Sequence, residues 1–335
     1  MKDIKILREI LAPLPRFRQV QAQQAVFSAL ISDWQEVSTL PLALREQLGC
    51  EYPLTIKADV QAAEGGTRKA LLYLEDGEVI ETVLIVHSDG RHTVCLSSQA
   101  GCPLGCTFCA TGQNGFRRNL SEFEIVLQVL FWQRRLAKEG KNVSHLVFMG
   151  MGEPFLNYDA LVGAMKLINQ EAYFNIGSRH MSVSTAGIVP GIKRFSQEDF
   201  QANLAISLHA PDDRLREKLM PIDKTYPLAE LLPAVDEYIA RTKRRVMFEY
   251  LLIAGVNDSV NQAQALARLI RSLDNSRLCF INLIPYNPTG PFQPAKEATI
   301  KTFCFALDEA GLPYTRRHRF GDQIDAACGQ LAGKR

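Results

Sequence analysis

The chain has 335 residues, 22% of them charged and 47% hydrophobic, with 38 Lys and Arg against 36 Asp and Glu. That balance excludes a disordered, collagen-like or disulfide-scaffold protein, and no stretch approaches the ~20 uninterrupted apolar residues that span a bilayer. The length favours one large domain with an appendage. Charges interrupt every apolar run of MKDIKILREILAPLPRFR, so a cytoplasmic protein with no signal peptide and no membrane association is expected.

Residues 1–50 read as short helices, such as Asp3–Leu11 and Gln19–Ser32, punctuated by Pro13, Pro15 and Pro41. From Leu54 the pattern changes to alternation in LTIKADVQ, KALLYLED and VIETVLIV, separated by Gly65–Gly66 and Asp76–Gly77. This is the signature of an antiparallel meander, and it fills 51–90. The third region, 91–335, repeats a strand–helix alternation. Its expected strands are His92–Ser97, Ser144–Met149, His180–Ser184, Asn203–Leu208, Val246–Leu252 and Leu278–Ile284. Helical patterns occupy Ser121–Lys138, Asp159–Glu171, Pro190–Phe195, Leu228–Arg241, Asn261–Leu273 and Lys296–Ala310, the first opened by a Ser121/Glu124 capping box. The fold class expected is α/β, a partial (β/α)6 barrel of parallel strands with a helical and meander module ahead of it.

Eight cysteines in a reducing compartment point to metal ligation, thiol chemistry or burial before stable disulfides. Cys50, Cys279 and Cys304 stand in apolar or helical surroundings and read as small core hydrophobes. SSQAGCPLGCTFCATG is different: it sets Cys102, Cys106 and Cys109 in a C-x3-C-x2-C array directly after the first core strand. Three buried thiols or a structural zinc are the alternatives, but structural zinc wants four closed ligands and no fourth is spaced to match. A 4Fe–4S cluster held by three cysteines, with one iron open, fits the array better.

With Phe108 just before its third cysteine, the array resembles the radical S-adenosylmethionine (SAM) superfamily. The resemblance implies that the open iron binds the amino and carboxylate groups of SAM, which is then cleaved by one electron to a 5′-deoxyadenosyl radical. It also implies that GMGEP holds the methionyl amine, with Gly152 for close backbone approach and Glu153 as acceptor. Ser184, Ser207, Leu208, His209 and Asn287 fall at the C-terminal ends of expected strands, where barrel active sites lie, and are read as further SAM contacts.

The two cysteines left, Cys95 and Cys328, narrow the resemblance. VIETVLI, CLSSQAGC, MGMGEP, SVSTAGIVP, AISLHAP, LMPI, GVND, NLIPYNP and IDAACGQL, in this order, resemble the RlmN/Cfr family of RNA adenosine methyltransferases. The family's chemistry implies that Cys328 takes a methyl group from one SAM, and that a second SAM supplies the radical that activates it for addition to adenine. Glu81 then stands at the position of the proton acceptor, and Cys95 resolves the protein–RNA adduct through a transient disulfide with Cys328. Pro154 and Glu249 lean towards RlmN, which methylates C2 of one 23S rRNA adenosine and of the adenosine beside the anticodon in certain tRNAs. LMPIDKTYP and Phe320–Gly321 lean towards Cfr, which methylates C8 of the same rRNA adenosine. RlmN-type is the favoured reading. A radical activase or an iron–sulfur electron carrier would leave Cys95 and Cys328 idle.

Expected partners are RNA and an electron donor such as flavodoxin or ferredoxin, with the protein a monomer. The N-terminal helices and the basic groups Arg117, Arg118 and Arg316–Arg319 are expected to meet phosphates. Arg134–Arg135 and Lys243–Arg245 are further clusters, each equally readable as a solvated face.

Overall fold

Alternating apolar residues and turn glycines break the chain after residue 57 into short extended runs. In the computed structural model, which describes residues 1–317 and 322–333, these runs form β1 (Ala58–Ala62), β2 (Arg68–Tyr73), β3 (Val79–Val86), β4 (His92–Cys95), β5 (Gln99–Gly101), β6 (Phe116–Asn119), β7 (His145–Phe148), β8 (Met181–Thr185), β9 (Asn203–Ser207), β10 (Val246–Leu252), β11 (Cys279–Pro285) and β12 (Tyr314–Arg316). The meander β1–β4 is antiparallel, and β4, β7, β8, β9, β10, β11 and β12 follow in parallel as one continuous sheet. The sheet curls: Ile85 and Thr93 near one end and Thr315 near the other line the same opening. This is the partial barrel expected.

The six core strands lie where the apolar runs place them, because strands buried on both faces read as continuous hydrophobic segments. Helices Glu122–Ala137, Tyr158–Asn169, Val189–Phe195, Leu228–Thr242, Val260–Arg271 and Glu297–Glu309 join them, and both halves of the Ser121–Glu124 capping box are made. Several elements were not legible. β12 adds a seventh parallel strand, β5 and β6 form a separate ribbon, and helix Asp213–Leu219 follows AISLHAP with Asp212 as its cap. All are short, and none repeats an apolar period long enough to stand out.

Helices Ile4–Leu11, Arg16–Phe27 and Leu42–Glu51 do not form a detachable unit. Leu7, Phe27, Trp34 and Tyr52 are buried in the same apolar core as the sheet, and the Phe27 ring lies 4.6 Å from that of Tyr173. Of the cysteines read as core hydrophobes, Cys279 is buried, Cys304 half-buried and Cys50 exposed, because Cys50 falls on the outer face near the end of its helix. Among the described residues no helix is long and apolar enough to cross a membrane.

Candidate active site

Cys95 ends β4, and the chain then crosses into β5 and the cysteine loop. Gly101, at φ +78°, must be glycine here: a Cβ would lie 2.0 Å from the Gly115 carbonyl oxygen. The Cys102 amide donates to that oxygen at 3.0 Å, the Thr107 amide to Leu219 at 3.0 Å, and the Cys109 amide to Cys106 at 3.1 Å. Backbone bonds therefore fix the loop before any ligand enters. Cys102, Cys106 and Cys109 face one cavity of roughly 850 Å³, floored by the strand ends.

The three thiols surround this cavity without converging on a point. Among the described residues no three His, Cys, Asp or Glu side chains close on a single ion. Burial, and then the neighbouring acidic groups and thiols, push Cys102 up to about 12 and Cys106 well above the ordinary thiol range. Ionising these buried sulfurs side by side requires a compensating cationic centre, and an iron–sulfur cluster fits the three-cysteine donor set and its spacing.

Across the cavity, Gly152 adopts φ +96°, and a Cβ would fall 2.5 Å from Gln99 Cβ. Gln99 Oε1 accepts from the Glu153 amide at 2.8 Å, so the β5 ribbon holds the GMGEP turn. The Glu153 carboxylate accepts from the amides of Phe155 (3.0 Å) and Ala186 (2.7 Å). Burial outweighs these bonds and pushes its pKa up to about 7. Behind it, Arg216 and Asp223 form an ion pair at 2.5 Å, and Arg216 also donates to the Ala186 carbonyl at 2.6 Å.

Ser184, Ser207 and His209 line the same cavity. Ser184 Oγ donates to Glu249 Oε2 at 2.7 Å, with Ser207 Oγ 3.4 Å from the same oxygen. His209 sits in the left-handed region at φ 57°, its Nδ1 accepts from the Leu251 amide at 3.1 Å, and its ring meets Phe108 edge to face. Burial, then Arg216, lowers its pKa to about 3, so it stays a neutral acceptor. Leu208 is fully buried and offers the cavity no side chain; its amide donates to the Glu249 carbonyl.

An adjoining cavity of roughly 680 Å³ holds Cys95, Cys328 and Asn287, and Cys109, Cys328 and Arg317 line both. Cys328 lies on a C-terminal strap that crosses this region. Ala110 donates its amide to Gly329 at 2.8 Å, Thr111 its hydroxyl to Leu331 at 2.5 Å, Asn114 its amide group to Ala332 at 2.9 Å, and Asn287 its amide group to Cys328 O at 3.3 Å. Glu81 projects from the face of β3 that also carries Ile85, but it stands behind the strap. Its Oε2 accepts from the Ala332 amide at 3.1 Å, and Oε1 is 3.6 Å from Lys69 Nζ, itself 3.3 Å from the Asp325 carbonyl. Burial raises the Glu81 pKa against the pull of Lys69.

Lys69, Thr111 and Arg216 were missed by sequence reasoning, since each matters only through a fold contact, and Arg317 was read only as part of a basic run. The basic groups divide. Arg117 is exposed, Arg118 is held between Asp76 and Glu124, Arg316 pairs with Glu297, and Arg317 turns inward beside the thiols. Among the described residues of this set, Arg117 is the exposed one with no carboxylate partner. His318, Arg319, Phe320 and Gly321 lie outside the described residues.

Residues 96–267 match the Radical SAM superfamily. The chain is 48% identical over 332 residues to a probable dual-specificity RNA methyltransferase RlmN of Chloroflexus aurantiacus, covering 96% of this chain and 88% of that one. To the protein so described in Geobacillus kaustophilus it is 45% identical over 322 residues, covering 95% and 87%. The crystal structure of a radical SAM methyltransferase from Sphaerobacter thermophilus superposes with a TM-score of 0.92 at 44% identity, covering 98% of this chain and 97% of the other. A cluster-competent cysteine loop on a partial barrel, with relatives this similar along nearly the whole chain, places the protein in the radical SAM superfamily and, within it, in the RlmN family of RNA methyltransferases.

Proposed function

We propose that the enzyme methylates C2 of adenosine in RNA, in 23S rRNA and in tRNA beside the anticodon, through S-methylated Cys328. The observation that supports this reading best is that Cys95 and Cys328 line one cavity whose wall, at Cys109, is shared with the proposed cluster site. Cys102, Cys106 and Cys109 would hold a 4Fe–4S cluster, and Glu153, Gly152, Ser184, Ser207, His209, Asn287 and the Leu208 backbone would hold SAM, with two SAM molecules used per turnover. The cluster and SAM together supply a 5′-deoxyadenosyl radical.

The chain's own groups do the rest. Adenine C2 lies between two ring nitrogens and is a poor nucleophile, whereas a thiolate is a good one, so Cys328 takes the methyl group first. Asn287 steadies the Cys328 carbonyl. Glu81 takes the proton from the attacked carbon, and its burial places its basicity closer to neutrality than an exposed carboxylate. Cys95 then attacks the Cys328 sulfur and frees the product. The N-terminal helices are assigned to RNA contact, since Phe17, 57% exposed, sits between Arg16 and Arg18 on the surface of its helix. Because those helices share the core, surface substitutions probe them more cleanly than removal of 1–50.

Replacing Cys95 with Ala is the test. It should trap a covalent protein–RNA species on a denaturing gel, and Cys328→Ala, alone or with Cys95→Ala, should give none. Mass spectrometry of the modified nucleosides then separates C2 from C8 methylation. An adduct in the double variant, or C8-methyladenosine as the product, would overturn the respective part.

A further inference from the structure

Arg317 belongs to the basic run expected to meet phosphate, yet the fold sends it elsewhere. Its amide donates to the Leu283 carbonyl at 2.9 Å, which continues the β11–β12 pairing by one residue. Its side chain is 23% exposed, with Nη1 4.0 Å from Glu249 Oε1, an oxygen that accepts no hydrogen bond among the described residues. Glu249 is anchored from its other side by Ser184. Among the described residues lining the cavity that holds both reactive thiols, Arg317 is the one with a charged side chain.

We propose that Arg317 is a positioning residue for the release step, holding the Cys95 sulfur as the thiolate that attacks Cys328. This rests on the division of labour between the two cysteines proposed above. In the step itself the Cys95 thiol gives up its proton and the thiolate attacks the Cys328 sulfur. A sulfur–sulfur bond forms and the bond from Cys328 sulfur to the base-linked methylene breaks. The electron pair of that bond passes to the carbon, which takes up a proton and becomes the methyl group. The two sulfurs are oxidised and the carbon is reduced, so no outside oxidant is needed. A dithiol reductant must reopen the disulfide before the next turnover.

The need for a cation follows from where Cys95 sits. It is buried on β4 against β3, β7 and the strap, and burial pushes its thiol up to about 12. The groups facing it are few. Glu249 opposes ionisation, as does Cys328 while it is a free thiol, whereas Arg317, which faces the Cys328 sulfur as well, and a backbone hydrogen bond at Met149 favour it. Take Arg317 away from the adduct and burial and Glu249 are left to disfavour the thiolate, opposed by that one hydrogen bond. Glu249 holds the guanidinium on the cavity wall and so sets its reach.

The test uses full-length, cluster-loaded enzyme with SAM, reductant and an RNA transcript, comparing Arg317→Met, Arg317→Lys and Cys95→Ala. The readout is the amount and lifetime of the covalent protein–RNA species between pH 7 and pH 9. Arg317→Met should accumulate the adduct at pH 7, as Cys95→Ala does, and resolve it at least about tenfold more slowly than the parent. Unlike the Cys95→Ala adduct, it should resolve about tenfold faster for each unit the pH is raised, and Arg317→Lys should restore most of the rate at pH 7. Resolution by Arg317→Met at the parent rate would overturn the inference, as would an adduct whose lifetime ignores pH. No adduct in either Arg317 variant, with a trapped adduct in Cys95→Ala, would move Arg317 to an earlier step and overturn it alone. No adduct in Cys95→Ala would overturn the division of labour, and this inference with it.

Discussion

The cysteine loop 102–109 and the strap that carries Cys328 meet in one cavity but are held there by different means. The loop is tied by its own backbone to Gly115, Leu219 and Cys106, and it is flanked by the β5–β6 ribbon and helix Ala110–Gln113. The strap has one short turn, Asp322–Ile324, and is then held mostly by side chains reaching to its carbonyls and amides. Backbone pairing is cooperative with the sheet, whereas each side-chain bond contributes only about 1 kcal/mol. The difference suits the proposed function: a cluster would need fixed ligands, while Cys328 would in turn meet SAM, a base and Cys95.

The fixed side of the comparison predicts the largest effect. Cys106→Ala should abolish iron binding and SAM cleavage while leaving far-ultraviolet circular dichroism unchanged, because the sulfur faces the cavity and the loop is held by its amides. Iron content near the parent value would show that the cluster is held elsewhere.

Arg216 tests how far this fixity extends behind the cavity. Its ion pair with Asp223 is buried, at 0% and 3% side-chain exposure. Arg216→Met leaves the carboxylate without its partner, and breaking such a pair costs about 3–5 kcal/mol. Because Arg216 also holds the Ala186 carbonyl, whose residue's amide bonds Glu153, SAM affinity should fall together with stability. Asp223→Asn with Arg216→Met should recover part of the stability and none of the Ala186 contact. Denaturant unfolding and SAM binding measure the two.

How much of this was legible beforehand depended on local spacing. Cys102, Cys106 and Cys109 lie within one loop, so ligand chemistry shows in the sequence itself. The core strands show through their apolar runs. Glu81 reads as a solvent-facing meander residue, and only family resemblance singled it out. Arg317 reads as part of a basic run because its burial depends on β12, a three-residue strand with no period of its own. Glu249 lies inside VMFEYLL, a run that reads as plain core, and only family resemblance singles it out, without its contact to Ser184. Contacts between distant elements set these roles, and no local pattern records them.

Glu153 gives a smaller, pH-dependent effect on the fixed side. Burial holds its pKa up to about 7, above the ordinary carboxylate value. Below that pH the carboxyl is protonated and offers no charge to the SAM ammonium; above it the carboxylate is present. The SAM affinity of the cluster-loaded enzyme should therefore weaken by up to about tenfold for each unit below pH 7 and level off above it. Glu153→Gln should bind weakly and without this slope. A parent protein whose affinity is flat from pH 5.5 to 8 would remove Glu153 from the amine site.

The strap should give the smallest change, and one of a different kind. Thr111→Val and Asn114→Ala each delete one bond to a strap carbonyl, at Leu331 and Ala332, without touching the cluster loop's own backbone bonds. The loss is about 1 kcal/mol each, and it falls on a local opening because the strap shares little regular structure with the sheet. The melting temperature should barely move, while alkylation of Cys328 by a thiol reagent should speed up roughly fivefold per variant, in line with a loss of that size. Alkylation of Cys95 should rise in parallel, since the strap also covers β4's cavity. A fall in melting temperature with no change in either alkylation rate would mean that the strap opens only with the whole sheet, and the two regions would then be one cooperative unit.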